Sequence, residues 1–129
     1  MRLLLDTHTI LWALTDDPRL SDTARAEYSS CEHLYFSVVS LWEIGIKLGL
    51  NRPDFQLAEN WWQVIPETLT RSGVARLDIA PVHCKRVASL PPHHRDPFDR
   101  LLVAQAFELE AGFLSKDQKM DAYGVQRVW

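Results

Sequence analysis

The chain has 129 residues, 47% of them hydrophobic, with 14 Lys and Arg against 17 Asp and Glu for a formal net charge of −3. That is the size of one ordinary domain with room for a sizeable core, so residues 1–129 are read as a single unit. The charge balance carries no global basic footprint for nucleic acid, but a site that gathers carboxylates can still engage phosphate through bound metal.

Only three apolar residues separate Arg2 from Asp6, too few for a signal-peptide core, and no run approaches the roughly 20 residues of a membrane span. A cytoplasmic protein without a membrane partner is therefore expected. Cys31 and Cys84 lie far apart without a ligand-type spacing, which points to two ordinary buried or half-buried thiols rather than a disulfide or a zinc site.

The first element is Leu3-Leu4-Leu5, ending on Asp6. Three consecutive leucines suit a strand covered on both faces, as in a parallel sheet between helices, and such sheets bind ligands outside the carboxyl ends of their strands. A helix from near Thr7 to Leu14 follows. Asp16-Asp17-Pro18 breaks the pattern, and Ser21-Asp22-Thr23 starts a second helix through Tyr28. Leu34 to Val38 has the aromatic and β-branched content of a strand, and Ser40 to Leu50 reads as a helix ending near Gly49.

After the Asn51–Asp54 loop, Gln56 to Arg71 looks helical, with Pro66 kinking or ending a segment and Gly73 closing it. Arg76 to Ile79 is a short strand, and Pro81 opens a helix that Pro91-Pro92 stops. Asp96-Pro97-Phe98-Asp99 begins a strongly patterned helix to Ala111, terminated by Gly112. Phe113-Leu114-Ser115 is a strand, and Gly124 to Trp129 is the last one. Alternating strands and helices predict a three-layer α/β/α domain with a central, mainly parallel sheet of about five strands.

Four acids stand out. Asp6 and Asp117 each follow a strand and would reach the same sheet edge, although either could simply cap the helix or turn after it. Glu43 lies in a helix that is apolar on most sides, sharing one polar stripe with Ser40 and Lys47; the plain alternative is a solvent-facing Glu43–Lys47 pair. Asp96 suits the cap of its helix, and Asp99, one turn further, would face Asp6 if that helix packs beside the first strand. Converging carboxylates resist joint ionisation unless a divalent cation compensates them. Magnesium or manganese accepts such oxygen ligands, and with them a site can activate water and neutralise charge on a phosphoryl group.

On Arg2-Leu3-Leu4-Leu5-Asp6-Thr7-His8, Ser37-Val38-Val39-Ser40-Leu41-Trp42-Glu43-Ile44, Arg95-Asp96-Pro97-Phe98-Asp99-Arg100 with the following Leu101 to Ala106, and Tyr123-Gly124-Val125, the chain resembles the PIN-domain ribonucleases, particularly VapC-type toxins of bacterial toxin–antitoxin pairs. The resemblance implies a PIN-like fold and an acidic metal and catalytic site of Asp6, Glu43, Asp99 and Asp117. It further implies Mg2+- or Mn2+-dependent endoribonuclease activity on tRNA or rRNA, a homodimer and a cognate antitoxin. Ser115 stands where the family often has threonine, and Asp96 could support Asp99. Arg100 could pair with the acids.

Candidate RNA contacts are Lys85, Arg86, Arg95 and Lys116, each of which could equally lie on a solvated face. His93 and His94 could ligate metal, but loop histidines without a second cluster more often do not. Trp12, Trp42, Trp61 and Trp62 are expected mostly in the core, with one of the adjacent Trp61 and Trp62 half exposed at a dimer or antitoxin interface. Two rivals remain. A catalytically inactive PIN-like module that binds RNA or protein is disfavoured by the intact acid set. A phospho-acceptor receiver domain would want paired acids after the first strand.

Overall fold

The computed structural model describes residues 1–129. Five strands, β1 (Arg2–Leu5), β2 (His33–Ser37), β3 (Ala75–Leu77), β4 (Gly112–Leu114) and β5 (Arg127–Val128), form one sheet in the order β3-β2-β1-β4-β5. Every pairing is parallel. The helices are α1 (Thr7–Leu14), α2 (Asp22–Ser30), α3 (Val38–Gly49), α4 (Trp61–Arg71), α5 (Pro81–Ser89) and α6 (Pro97–Leu109), with a 3-10 turn over Gln118–Tyr123.

β1 is the central strand, and its leucines show why. Leu3 and Leu5 pack into one core with Ile10 of α1, Ala24 of α2, Ile44 of α3, and Ile65 and Leu69 of α4. Leu4 points the other way, into a second core with Leu102, Val103 and Ala106 of α6. The two-residue period of a strand sends alternate side chains to opposite faces, so only a strand with helices on both sides buries all three. Each buried leucine contributes about 1.5–3 kcal/mol from apolar burial. The result is the three-layer architecture expected from the sequence. No helix is long and apolar enough to cross a membrane.

The strand order reverses at β1: the chain first builds outward through β2 and β3, then returns to place β4 on the other side. In open parallel sheets, the carboxyl edge at such a reversal is where ligands bind. β4 can lie this close to β1 because Gly112 has no side chain; a Cβ there would sit 2.9 Å from the Gln126 carbonyl oxygen and 3.0 Å from Leu3 Cδ2.

Several expected boundaries shift. α4 begins at Trp61, not Gln56, and runs through Pro66 to Arg71. α6 ends at Leu109, with Glu110 in the left-handed conformation as its cap, and Gly112 starts β4 instead of terminating the helix. The last strand contracts to Arg127–Val128.

Trp42, expected in the core, is 55% exposed. Trp61 packs against the first core and its neighbour Trp62 is 58% exposed, as helical geometry requires of adjacent residues. Cys84 is exposed rather than half-buried, and Cys31 is half-buried.

Candidate metal centre

Asp6 follows β1 directly and caps α1, accepting the Thr9 N–H at 2.7 Å on Oδ1. The cap and the edge position coexist in one residue. Its Oδ2 accepts the Ser115 hydroxyl, and its own N–H reaches the Leu114 carbonyl of β4 at 3.2 Å. Asp6 is only 6% exposed, and no Lys or Arg pairs with it. Burial raises its pKa above the ordinary carboxylate value, opposed by the hydrogen bonds from Ser115 and Thr9.

Glu43 is brought to the same edge by α3, which Ser37 starts by accepting the Val39 N–H at 3.1 Å. Ser37 is itself held by a buried 2.5 Å hydrogen bond to Gln105 of α6. The Glu43–Lys47 pair exists, at 2.9 Å, but Glu43 is 4% exposed, so the pair is not a solvated surface contact. The other Glu43 oxygen takes the Thr7 hydroxyl at 2.6 Å. Thr7 Oγ1 also lies 3.0 Å from Ser40 Oγ; having one proton, Thr7 gives it to Glu43 and accepts from Ser40.

Asp96 caps α6, its side chain accepting from the Phe98 N–H at 2.8 Å and the Asp99 N–H at 3.4 Å. Asp99, in the first turn, faces the other acids because α6 packs against β1. Its carboxyl is pushed up to about 8, first by burial and then by the negative charges of Asp96, Glu43, Asp6 and Asp117. Asp117 follows β4, caps the 3-10 turn through the Lys119 N–H at 3.0 Å, and donates its own N–H to Ser115 Oγ at 3.0 Å. Ser115 therefore ties Asp6 to Asp117 with one buried hydroxyl.

The four sequence-predicted acids thus come together from four separate segments, and two neighbours not singled out as site residues prove structural to them: Thr7 and Ser40. Thr7 was visible only as the residue after Asp6, and nothing short of the α1–α3 contact identifies its partner. His94 also belongs here. Its Nε2 lies 3.2 Å from both Asp99 Oδ2 and Asp117 Oδ2, and with these two acids it forms a group of three donor atoms within 4.8 Å of one another.

Arg100 does not pair with the acids. Its guanidinium instead donates to the Pro91, Val87 and Leu90 carbonyls at 3.0–3.3 Å and to the Tyr123 hydroxyl at 3.2 Å, because α5 and the loop after it end directly over the first turn of α6. Arg86 is also engaged, bonding Glu108 at 2.7 Å near the far end of α6, about 13 Å along the helix from Asp99 at 1.5 Å per residue. Lys85, on the same helix, and Arg95 are exposed. Lys116, beside Asp117, lies 5.9 Å above the Trp12 ring.

The donor set fits a hard divalent cation. It consists of carboxylate oxygens, several of them buried, and the one ammonium within reach is already committed to Glu43. Burial and then the surrounding negative charge drive Asp99 towards the neutral form, and that charge is what a cation would offset.

Comparison with known proteins agrees with this fold. The PIN domain family profile matches residues 3–126. No curated protein sequence matches significantly. Among solved structures, VapBC from Salmonella typhimurium, bound to DNA, aligns with a TM-score of 0.73 at 14% identity over 98% of this chain and 96% of that one. VapBC2 from Rickettsia felis, bound to a DNA fragment from its promoter, aligns at 0.70 and 13% identity over 98% and 97%. FitAcB from Neisseria gonorrhoeae aligns at 0.65 and 16% identity over 97% and 95%.

Proposed function

Since the chain belongs to the PIN-domain family, we propose that it is a Mg2+- or Mn2+-dependent endoribonuclease and the toxin of a toxin–antitoxin pair, acting on tRNA or rRNA in the cytoplasm. The observation that carries this reading is the convergence of Asp6, Glu43, Asp96 and Asp117 on Asp99, whose carboxyl is pushed up to about 8 first by burial and then by those four charges. An accumulation of buried negative charge with no paired Lys or Arg at Asp6 or Asp99 is costly to a fold and useful to a cation site.

Asp6, Asp99 and Asp117 would hold the ion, with Glu43 either ligating or orienting a water. When bound, the ion activates water and neutralises charge developing on the scissile phosphoryl group. Ser115 and Thr7 hold Asp6 and Glu43 in place. Lys47 pairs with the other Glu43 oxygen at 2.9 Å and so fixes the carboxylate's orientation. Lys116 and Arg95, exposed beside the acids, would meet the RNA backbone.

Support for a partner comes from the surface and from relatives. Trp42 and Ile46 lie four residues apart on α3, Leu50 continues the spacing just past its end, and all three are about half exposed, as is Trp62. Apolar surface of this kind is characteristic of interfaces. Similar solved structures include a toxin–antitoxin complex from Klebsiella pneumoniae, which supports an antitoxin as one occupant; a second copy of this chain is the other. Trp42→Ser and Trp62→Ser proteins with unchanged subunit mass and antitoxin affinity would remove that part of the proposal.

The decisive experiment incubates purified protein and total RNA with Mg2+ or Mn2+, beside an EDTA control and the Asp6→Asn and Asp99→Asn variants. Cleavage is expected only in the wild type with metal. Cleavage persisting in chelator or in either variant sinks the mechanism. The second reading, an inactive binding module, predicts RNA retention without cleavage and no metal uptake by calorimetry.

A further inference from the structure

His94 offers an atom to the same space as the acids, but its ring is oriented for a different task. Nδ1 accepts the backbone N–H of Asp96 at 3.1 Å. An imidazole that accepts at Nδ1 carries its proton on Nε2, and an Nε2–H has no lone pair for a cation. That N–H is hydrogen-bonded to Asp117 Oδ2 at 3.2 Å, with Asp99 Oδ2 at the same distance.

The ring is also firmly seated. The His94 N–H donates to the Tyr123 hydroxyl at 2.9 Å, and Arg100 holds that hydroxyl while bracing the Pro91 carbonyl of the same loop. The imidazole is mostly buried, with 11% side-chain exposure. Asp99 belongs to α6 and Asp117 to the segment after β4, and their side chains share no other bridging group. His94 is also the one side chain or N–H that meets the Asp99 carboxylate within bonding distance.

Building on the metal-nuclease reading, we propose that His94 is a positioning residue: its Nε2–H holds Asp117 while the same nitrogen stands 3.2 Å from Asp99 Oδ2, setting the separation of the two acids for one divalent cation without itself becoming a ligand. The contact uses Oδ2 of each carboxylate. Asp99 Oδ1 stays free for the ion. Hydrogen-bond partners of this kind behind metal ligands typically change affinity by about 10- to 100-fold when removed.

The test titrates full-length wild type, His94→Gln, His94→Asn and His94→Ala with Mn2+ by calorimetry, and records pulsed electron paramagnetic resonance of the bound Mn2+. Gln keeps an N–H donor near the Nε2 position. Asn keeps an acceptor for the Asp96 N–H, and so the loop, but cannot reach the carboxylates. The expected result is Mn2+ affinity weaker by about 10- to 100-fold in His94→Asn and His94→Ala, restored to within a few-fold in His94→Gln, and no histidine nitrogen coupling to Mn2+ in the wild type.

A nitrogen coupling in the wild type that disappears in His94→Gln would make His94 a ligand and overturn the proposal. So would wild-type affinity in His94→Asn. Failure of the two readings is distinguishable. Mn2+ binding with the expected variant pattern but no RNA cleavage keeps the positioning role and sinks the nuclease, whereas a wild type that takes up no Mn2+ sinks both.

Discussion

Thr7 Oγ1 stands 2.6 Å from Glu43 Oε1, a buried hydrogen bond across 36 residues of sequence that locks the start of α1 to the middle of α3. Because Lys47 holds the other Glu43 oxygen at 2.9 Å, the carboxylate has both oxygens fixed. Thr7→Val keeps the shape and removes the proton. It is expected to lower kcat/KM for RNA by about 10- to 100-fold and stability by about 1–3 kcal/mol, the penalty for a buried acceptor left short of a donor. Thr7→Ser should recover most of both, as measured by cleavage rates and urea unfolding.

Asp99→Asn should separate function from stability. The variant replaces a carboxyl that burial and four neighbouring carboxylates hold largely protonated at pH 7.5, which the unfolded chain would ionise, by a permanently neutral amide. Cleavage is expected to disappear, while the metal-free protein melts higher at pH 7.5 by several degrees, since about 1 kcal/mol is worth a few degrees in a domain of this size. A lower melting temperature in EDTA would contradict the repulsion inferred here.

The same group sets the pH dependence of the metal-free fold. Asp99 goes from an ordinary value of 3.8 to about 8 on folding, so between those values the folded state binds more protons than the unfolded one. Its stabilising contribution is complete below about pH 4 and is lost as pH rises through about 8; buried Asp6, also raised, acts in the same direction. Urea midpoints measured in EDTA at pH 5, 6.5 and 8 should therefore fall in that order, and the fall should be smaller in Asp99→Asn. Saturating Mn2+ should flatten or reverse the trend, because the ion competes with the proton for Asp99.

Ser115 serves two acids at once, donating to Asp6 and accepting the Asp117 N–H. Ser115→Ala is expected to weaken Mn2+ binding and cleavage together by about tenfold or more. Ser115→Thr, which keeps the hydroxyl that both acids use, should retain both. Calorimetry and cleavage rates on the two variants decide it.

Arg100 makes contact with three carbonyls and one hydroxyl from a planar guanidinium. A lysine cannot reproduce that fork. Arg100→Lys is expected to destabilise the protein by about 1–3 kcal/mol and to lower Mn2+ affinity through the loosened His94 loop, with hydrogen exchange increased over residues 91–96. Unchanged exchange there would show that Arg100 does not brace the loop.

Much of the architecture was legible along the chain, because it rests on local periodicity. Three consecutive leucines before Asp6 demanded a strand covered on both faces, and the separate cores around Leu4 and around Leu3 and Leu5 are that demand met. Asp6 and Asp117 were conspicuous at strand ends and Glu43 on an apolar helix, whereas the place of Asp99 beside Asp6 depended on how its helix packs. The helix boundaries at Trp61 and Leu109 were less so, since caps without a favoured residue, such as left-handed Glu110, leave no local signal.

What only the tertiary structure decided is which groups hold the acids. Thr7 finds Glu43, Ser115 joins Asp6 to Asp117, Arg100 turns from the acids to the loop carbonyls, and His94 comes to face two carboxylates from different elements. The reason is geometric. A strand or helix determines from its own sequence which side is buried, whereas a hydrogen bond between residues tens of positions apart depends on the packing of α6 beside β1 and of β4 across from β2.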